Sequence, residues 1–257
     1  MALKGISLEV HKGDFIAIIG QNGSGKTTLA KHFNGLLKPT SGFVTVFGMD
    51  VATTPSYLLV ARVGYVFQNP NHQLFSTKVS DELAFGCRNM GLSAEITKKR
   101  IQEAAGLLEI EKYLGERPYS LGQGEKQRVA IAAILAMNPD VLVIDEPTTG
   151  QDPRRSREIM DLMTKLHSAG KTIVIITHDM DLVCEYAKRV IVMNDGRILT
   201  EGSPQEVFAK ADVLREAFLA QPVVMELFNR LRMDYPLPES VLTVDDAVAA
   251  LKDRLGE

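Results

Sequence analysis

A glycine-rich stretch near the start of the chain, GQNGSGKTT, has the residue types and spacing of a phosphate-binding loop. It stands between a strand-like apolar run and a helix-like segment, which is the context that such a loop requires. Backbone N–H groups of such a loop point at phosphate oxygens, and the helix N-terminus adds a positive dipole. We therefore expect all nine residues to take part in nucleotide binding: Gly20, Gln21, Asn22, Gly23, Ser24, Gly25, Lys26, Thr27 and Thr28.

Two residues of this loop have more specific expected roles. The Lys26 ammonium would reach the β- and γ-phosphates, and the Thr27 hydroxyl would hold Mg²⁺. The alternative interpretation, a glycine-rich turn with a surface lysine, leaves the flanking strand and helix unexplained. The loop predicts a nucleoside triphosphate with Mg²⁺, but taken alone it leaves kinases and many other nucleotide hydrolases open.

An acidic pair follows the apolar run VLVI further along the chain. Asp145, at the end of the predicted strand, is placed to bind Mg²⁺ through water beside Thr27. Glu146 would orient or deprotonate an attacking water. His178 ends the next predicted strand, so parallel pairing would bring it to the same edge, near the γ-phosphate. The alternatives are a Glu146 that faces solvent and a His178 that packs in the core or caps a helix.

The elements that must position these residues alternate between strands and helices. Apolar runs of strand length are interleaved with segments of helical periodicity near 25–35, 153–168 and 179–187. This alternation indicates βαβ units and an α/β fold with a parallel sheet. The runs predicted as strands are 6–10, 14–19, GFVTVFG, RVGYVF, VLVID, TIVIIT and RVIVMN.

A helical stretch interrupts this alternation, bounded near Gln68–Pro70 and Asn138–Pro139. We expect a nucleotide-binding core, a helical insertion and a C-terminal tail of short amphipathic helices broken by prolines. The predicted bounds are 1–68 and 139–203 for the core, 69–138 for the insertion and 204–257 for the tail, with breaks at Pro222, Pro236 and Pro238.

Composition excludes several function classes. The 257 residues carry a net charge of −3, with 45% hydrophobic and 24% charged residues, which is ordinary for a soluble globular protein. A nucleic-acid partner is not expected, because its usual mark is a basic excess. The apolar runs are far too short to span a bilayer, so a role at a membrane would require something else as an anchor.

Taken together, the motifs resemble the ATP-binding-cassette (ABC) ATPases over about residues 5–203. The resemblance rests on the phosphate loop, then Gln68 ending a strand, then a helical insertion, LGQGEKQRVAIA, VLVIDEP, TTGQD and His178. It implies a P-loop NTPase fold, in which a RecA-like parallel-sheet core carries a helical subdomain. It also implies head-to-tail dimers, in which each ATP lies between one subunit's phosphate loop and the other's signature segment. The implied nucleotide contacts are Gly122, Gly124 and Asp152, and Gln68 would contact Mg²⁺ or the attacking water.

The signature segment departs from the family pattern L-S-G-G-Q, which falls on Leu121 to Glu125. Gly122 stands where a serine hydroxyl is expected, and Gln123 stands where a glycine is expected. Ser120 lies two positions early, and we do not expect it to substitute. The ATP site that this chain completes is therefore expected to be the weaker one, which favours a heterodimer of two different ATPases.

A narrower resemblance is to the ATPases of energy-coupling-factor (ECF) transporters, which import cobalt, nickel or vitamins. It rests on FQNPNHQLF after the fourth predicted strand and on the tail EVF…QPVVMELFNRL…LPESVLTVDDAVAAL. In that family the tail contributes to ATPase–ATPase contact, and the segment after Gln68 faces the coupling helices of the membrane subunit. Leu74 and Phe75 could instead pack under the helical lobe. The implied partners are a second ATPase, a transmembrane T-type coupling subunit and a substrate-binding membrane subunit, with this chain on the cytoplasmic side.

Two rivals and one departure remain. A soluble ABC ATPase of DNA repair or translation would call for a coiled-coil insertion, a zinc motif or a second cassette, and the 257 residues contain none. A nucleotide-gated subunit that clamps on ATP and turns over poorly is suggested by Gly122. The family's adenine-stacking aromatic is missing, since none precedes Phe15. Either the natural N-terminus is longer or the base is held otherwise.

Overall fold

A computed structural model describes residues 2–233, 235, 237–238 and 241–255, with the side chains of 253–255 excepted. Eight strands are described: β1 Phe15–Ile19, β2 Thr45–Val46, β3 Met49–Asp50, β4 Val63–Val66, β5 Val141–Asp145, β6 Thr172–Ile176, β7 Arg189–Asn194 and β8 Arg197–Gly202. Eleven α-helices are described: α1 Lys26–Phe33, α2 Ser56–Arg62, α3 Val79–Asn89, α4 Ala94–Leu107, α5 Gln123–Met137, α6 Pro153–Ser168, α7 Met180–Tyr186, α8 Pro204–Phe208, α9 Ala211–Glu216, α10 Val223–Leu231 and α11 Val244–Leu255. Among the described residues, no helix is both long enough and apolar enough to span a bilayer.

The chain divides into two compact units, which do not follow the predicted domain bounds. The first comprises Met1–Val10, Asp14–Lys26 and Thr177–Glu257, and the second comprises His11–Gly13 and Thr27–Ile176. The division into core, insertion and tail stays a prediction. The α/β class with parallel strands is confirmed in both units.

In the second unit, β5 lies between β4 and β6, and all three strands run parallel. Every residue of β4 and β6 is buried, as is β5 from Leu142 onward, which is typical of parallel strands covered on both faces. Val66 pairs with Ile144, and Asp145 pairs with Ile176. The carboxyl ends of the three strands therefore lie at one edge of the sheet, where ligands of open α/β sheets bind.

The segment between β4 and β5 is helical, as predicted. Helix α5 packs against both α3 and α4. Its buried face carries small and branched side chains such as Ala130 and Ile131, while α3 contributes Leu83 and Cys87. The helix ends at Asn138, whose left-handed φ of 56° closes the last turn before a proline.

In the first unit, β1 pairs with β7 in parallel, and β7 pairs with β8 in antiparallel fashion. The β7–β8 hairpin turns through Asp195 and Gly196, whose φ angles of 45° and 75° suit the tight turn. Helix α8 packs on this hairpin and buries Val207 and Phe208. The tail contains short helices, as predicted, and α10 begins directly after Pro222. The predicted break at Pro236 lies outside the described residues.

Two strand expectations were wrong or incomplete, and the observed strands β3 and β8 were not expected. Residues 6–10 show alternating exposure but form no strand, because an alternating pattern cannot supply a neighbouring strand to pair with. The run GFVTVFG contributes only the two residues of β2, since Phe47 and Gly48 turn away with φ angles of 50° and 77°. Strand β8 was not predicted, although the Asp-Gly pair before it is a strong hairpin signal.

Candidate nucleotide site

The phosphate loop begins where β1 ends, in the first unit. Gly20 has a φ of 150°, and a Cβ there would lie 2.2 Å from the Met193 carbonyl oxygen, so only glycine fits. The Lys26 side chain is 8% exposed. Its Nζ donates to the carbonyl oxygens of Gly20 at 2.8 Å and Gln21 at 2.9 Å. The loop thus folds around the lysine ammonium.

The donors of this loop fit a phosphate chain. The Ser24 hydroxyl is buried and has no hydrogen-bond partner among the described residues, an arrangement that costs about 1–3 kcal/mol unless a ligand satisfies it. Helix α1 begins at Lys26 and carries no acid of its own in its first turn, and such a helix N-terminus favours a bound phosphate. Phosphate oxygens would satisfy both features.

The other loop residues are more open. Asn22 and Gly23 are exposed, and Gly25 and Thr28 are half-buried. The Gln21 side chain donates from Nε2 to Asn194 Oδ1 at 3.1 Å, which ties the loop to the end of β7. Their part in nucleotide binding stays a prediction.

A hydroxyl and a carboxylate meet in the second unit. Thr27 Oγ1 donates to Asp145 Oδ2 at 2.8 Å, and Asp145 is only 3% exposed. Tyr65, from the middle of β4, donates its hydroxyl to the same oxygen at 3.0 Å. Burial, together with the neighbouring Asp145 charge, raises the pKa of Tyr65, so the phenol stays protonated and remains a donor.

The Thr27–Asp145 pair fits Mg²⁺ in the chemistry of its donors. Mg²⁺ takes oxygen ligands and is usually held by one or two carboxylates together with substrate phosphates and waters. Within the described ranges, no group of three or more His, Cys, Asp or Glu side chains could hold a metal by itself. A site built on one hydroxyl and one carboxylate would need the phosphates to complete it.

Glu146 and Gln68 follow neighbouring strands of the second unit. Glu146 directly follows β5 and is 7% exposed, so the alternative of a solvent-facing glutamate is wrong. Its φ of 56° is left-handed, and its N–H donates to the Ile176 carbonyl oxygen at 2.8 Å. Gln68 is exposed, two residues beyond β4. The parallel pairing of β4 and β5 puts both residues at the same sheet edge.

His178 belongs to the first unit and is exposed, two residues after the end of β6. Its exposure does not fit the alternative of a core histidine. Its predicted place at the γ-phosphate stays a prediction.

The signature segment forms the N-terminus of α5. Gly122 precedes the helix in an extended conformation, and its N–H donates to Glu125 Oε2 at 2.8 Å. The Tyr113 hydroxyl donates to the other carboxylate oxygen of Glu125. These hydrogen bonds, the Tyr113 one above all, hold the pKa of the Glu125 carboxyl below its usual range. Gly122 and Gln123 are exposed.

The loop TTGQD contacts this segment from within the same unit. Gln151 Nε2 donates to the Gly124 carbonyl oxygen at 2.8 Å, a contact that was not predicted. A Cβ at Gly124 would lie 2.9 Å from the Gly150 carbonyl oxygen, so the two loops touch through backbone. Asp152 caps α6 by accepting the Arg155 N–H at 3.0 Å. Its expected nucleotide contact stays a prediction.

Ser120 was not expected to substitute for the signature serine, and this stays a prediction that its hydrogen bond supports. Its hydroxyl donates to the Arg117 carbonyl oxygen at 2.7 Å, as part of the short 3₁₀ turn Pro118–Ser120. The hydroxyl is therefore already used within its own turn.

Comparison with known proteins decides the family. The family model described as ABC transporter matches residues 3–149, which is more than half of the chain. The chain belongs to the ABC transporter family. The resemblance drawn from the motifs is confirmed.

Relatives agree with the narrower resemblance to ECF ATPases. The energy-coupling factor transporter ATP-binding protein EcfA of Methanocaldococcus jannaschii is 45% identical over 238 residues, which are 92% of this chain and 85% of that protein. A solved structure of CbiO1 from Clostridium perfringens, described as part of the ABC transporter complex CbiONQ, has a TM-score of 0.74 and 41% identity. It covers 89% of this chain and 92% of that one.

Some relatives are much longer than this chain. A putative ABC transporter ATP-binding protein of Caldanaerobacter subterraneus subsp. tengcongensis is 46% identical over 251 residues, or 98% of this chain. The chain spans only 43% of that relative's length.

The left-handed backbone of Glu146 predicts a stability difference between two truncations. Glu146→Ala and Glu146→Gly both remove the carboxylate, but only alanine keeps a Cβ at a φ of 56°. We expect the glycine variant to have a free energy of unfolding about 1 kcal/mol higher than the alanine variant. Urea unfolding measures this difference. An alanine variant at least as stable as the glycine variant would show that the backbone is not strained here.

Proposed function

We propose that this ABC family member is the ATP-hydrolysing subunit of an ECF-type importer, which powers uptake of cobalt, nickel or a vitamin. The observation that carries the ATP hydrolysis is the Thr27–Asp145 hydrogen bond beside Glu146, at the carboxyl end of a buried parallel strand. The ECF type is supported by the similarity to EcfA and CbiO1. This is the arrangement that nucleotide hydrolysis requires: a metal-binding pair next to a candidate general base.

Each residue has a definite part in this proposal. Lys26 and the Ser24 hydroxyl bind phosphate oxygens, and Thr27 and Asp145 hold Mg²⁺. When bound, the metal neutralises charge on the phosphates.

Glu146 accepts the proton of the attacking water. In addition, Gln68 and His178 orient the water and the γ-phosphate.

The second ATPase partner follows from the exposed signature segment. Family members pair so that this segment completes the partner's ATP site, and here its glycine and glutamine face solvent. The Gly122 N–H is already donated to Glu125, and the position lacks a hydroxyl. The segment therefore offers one donor fewer than a serine would. This supports a second candidate, a heterodimer in which the site completed by this chain turns over weakly.

A membrane partner is supported by an aromatic pair in the segment after Gln68. Leu74 is 3% exposed, but Phe75 is 57% exposed and Phe85 is 47% exposed, so only the leucine packs inside. The two rings meet edge to face, with centroids 4.8 Å apart. Glu82 Oε2 fixes the segment by accepting the N–H groups of Phe75 at 3.0 Å and Ser76 at 2.7 Å. We propose that a T-type coupling subunit docks on this pair.

The remaining partners complete the proposed assembly. A substrate-binding membrane subunit would recognise the imported nutrient, and this chain would sit peripherally on the cytoplasmic face. On α10, Val223 and Leu227 are exposed next to a buried Phe228, which supports an ATPase–ATPase contact through the tail. No contact in the described residues favours a soluble ABC ATPase of DNA repair or translation.

Removing the Lys26 charge tests nucleotide binding. Lys26→Ala should weaken ATP affinity about ten- to a hundredfold, the usual worth of hydrogen bonds to charged groups. Lys31→Ala, in the last turn of the same helix, is the matched control and should bind normally. Isothermal titration measures both. Parent-like affinity in Lys26→Ala would contradict the phosphate-loop assignment.

Replacing the candidate base tests the proposed reaction. Glu146→Gln keeps the shape of the side chain but cannot accept a proton, so ATP should bind while hydrolysis falls at least about a hundredfold. The measurement is phosphate release by the chain co-purified with its membrane subunits, which mass spectrometry identifies. Glu103→Gln, on the exposed face of α4, is the control. Equal rates in Glu146→Gln and the parent would exclude Glu146 as the base.

Restoring the signature serine tests the weak-site candidate. A Cβ at Gly122 would lie 3.4 Å from Glu125 Oε2, so Gly122→Ser fits without displacing its neighbours. The added hydroxyl should raise ATPase activity of the assembled complex several-fold, alone or with Gln123→Gly. Ser120→Ala should leave the rate unchanged, since that hydroxyl bonds its own turn. No rise in either serine variant would remove the weak-site idea.

A further inference from the structure

The Tyr65 hydroxyl donates to the same carboxylate oxygen that Thr27 uses, although tyrosine at this strand position was not among the expected site residues. We propose that Tyr65 is a positioning residue for the Mg²⁺ site, which holds the Asp145 carboxylate in the orientation that binds metal. This inference rests on the proposed function, because it assumes that Mg²⁺ binds with the nucleotide.

The sheet register explains why Tyr65 reaches Asp145. Tyr65 pairs with Val143 in the parallel β4–β5 ladder, so the two side chains lie on the same face. Asp145 is two residues further along β5 and therefore also points to this face. A phenol is long enough to cover that two-residue step, and its hydroxyl ends 3.0 Å from Asp145 Oδ2. An aliphatic residue at this place in the strand would stop short of the carboxylate.

The surroundings of Tyr65 hold the ring in place. The residue is 4% exposed, and its ring packs edge to face against Phe67, with centroids 5.1 Å apart. The donor is therefore presented from a fixed position. Thr27 approaches the same oxygen from the start of α1. Asp145 therefore accepts one hydrogen bond from the sheet, through Tyr65, and one from helix α1, through Thr27.

Two donors on one oxygen decide what the carboxylate can offer a metal. A carboxylate oxygen accepts about two hydrogen bonds in its plane, so Thr27 and Tyr65 together fill Oδ2. The other oxygen, Oδ1, would then be the one left for Mg²⁺ or one of its waters. The Thr27 hydroxyl donates its only proton to Asp145, so the lone pairs of Thr27 Oγ1 would remain available to the metal. Without the Tyr65 hydroxyl, we expect the Asp145 carboxylate to rotate more freely. The orientation of Asp145 Oδ1 and of Thr27 Oγ1 toward the metal would then be less well fixed.

The test separates metal binding from nucleotide binding. Tyr65→Phe removes the hydroxyl but keeps the ring and its packing on Phe67. ATP affinity is measured in EDTA and again in saturating Mg²⁺, on the full chain carrying Glu146→Gln to prevent turnover. The ratio of the two affinities is the Mg²⁺-dependent gain, a coupling between metal and nucleotide. Partners of metal ligands typically contribute about 10–100-fold to metal affinity, so we expect the gain to fall about tenfold, with affinity in EDTA unchanged.

Tyr57→Phe is the matched control. This tyrosine is on α2 of the same unit and is 72% exposed, so loss of its hydroxyl should change neither affinity. An unchanged Mg²⁺-dependent gain in Tyr65→Phe overturns the proposal. An equal loss of affinity with and without metal also overturns it, because Tyr65 would then be merely structural. If the Glu146→Gln chain with Tyr65 intact shows no Mg²⁺-dependent gain, the proposed function itself fails.

Discussion

The hydrogen bond from Thr27 Oγ1 to Asp145 Oδ2 joins two points of the chain that are 118 residues apart. It forms only if the first turn of α1 and the carboxyl end of β5 meet, and β5 reaches its place only as the central strand of a parallel trio. Parallel strands need long crossover connections. The helical segment α3–α5 supplies the crossover between β4 and β5, and α6 supplies the one between β5 and β6. The Thr27–Asp145 pair, the candidate metal site, and the helical segment are thus consequences of one topology.

The residue that directly follows β5, the candidate base Glu146, has a strained backbone. A left-handed glutamate is unfavourable by roughly 1–2 kcal/mol relative to ordinary backbone. Here it is held by the bond from its N–H to Ile176 and by the bond from Thr149 N–H to its carbonyl oxygen. Such conformations persist where the surroundings over-determine them, and they cluster at functional sites. The buried sheet therefore provides the rigidity that keeps Glu146 turned out of the strand direction.

The parts of the candidate site that are contiguous motifs could be predicted from the sequence. The parts that depend on contacts between distant segments could not. The phosphate loop and the Asp145–Glu146 pair are contiguous motifs, so spacing and flanking elements were sufficient to find them. Tyr65 acquires its contact from strand register, and Gln151 acquires its contact from a meeting of two loops. Neither strand register nor a contact between two loops can be read from a short stretch of residues. The expected strand at 6–10 failed for the same reason, since pairing depends on a distant partner.

Tyr65 also lies on a chain of contacts that leads away from the sheet edge. Two residues after it, the Phe67 N–H donates to Gln73 Oε1 at 3.2 Å, and Gln73 Nε2 donates to the Ala130 carbonyl oxygen of α5 at 2.9 Å. The carbonyl oxygen of the next residue, Leu74, accepts a hydrogen bond from the Tyr119 hydroxyl at 3.2 Å.

A movement of β4 relative to β5 would therefore strain the hydrogen bonds to α5, the helix that carries the signature glycines at its N-terminus. Energetic coupling travels through such contiguous contacts only where they have two stable arrangements. The exposed Gln68 lies within this path, between Phe67 and Gln73, and belongs neither to β4 nor to the 3₁₀ turn Pro70–His72, so a movement of β4 would reach that turn through it.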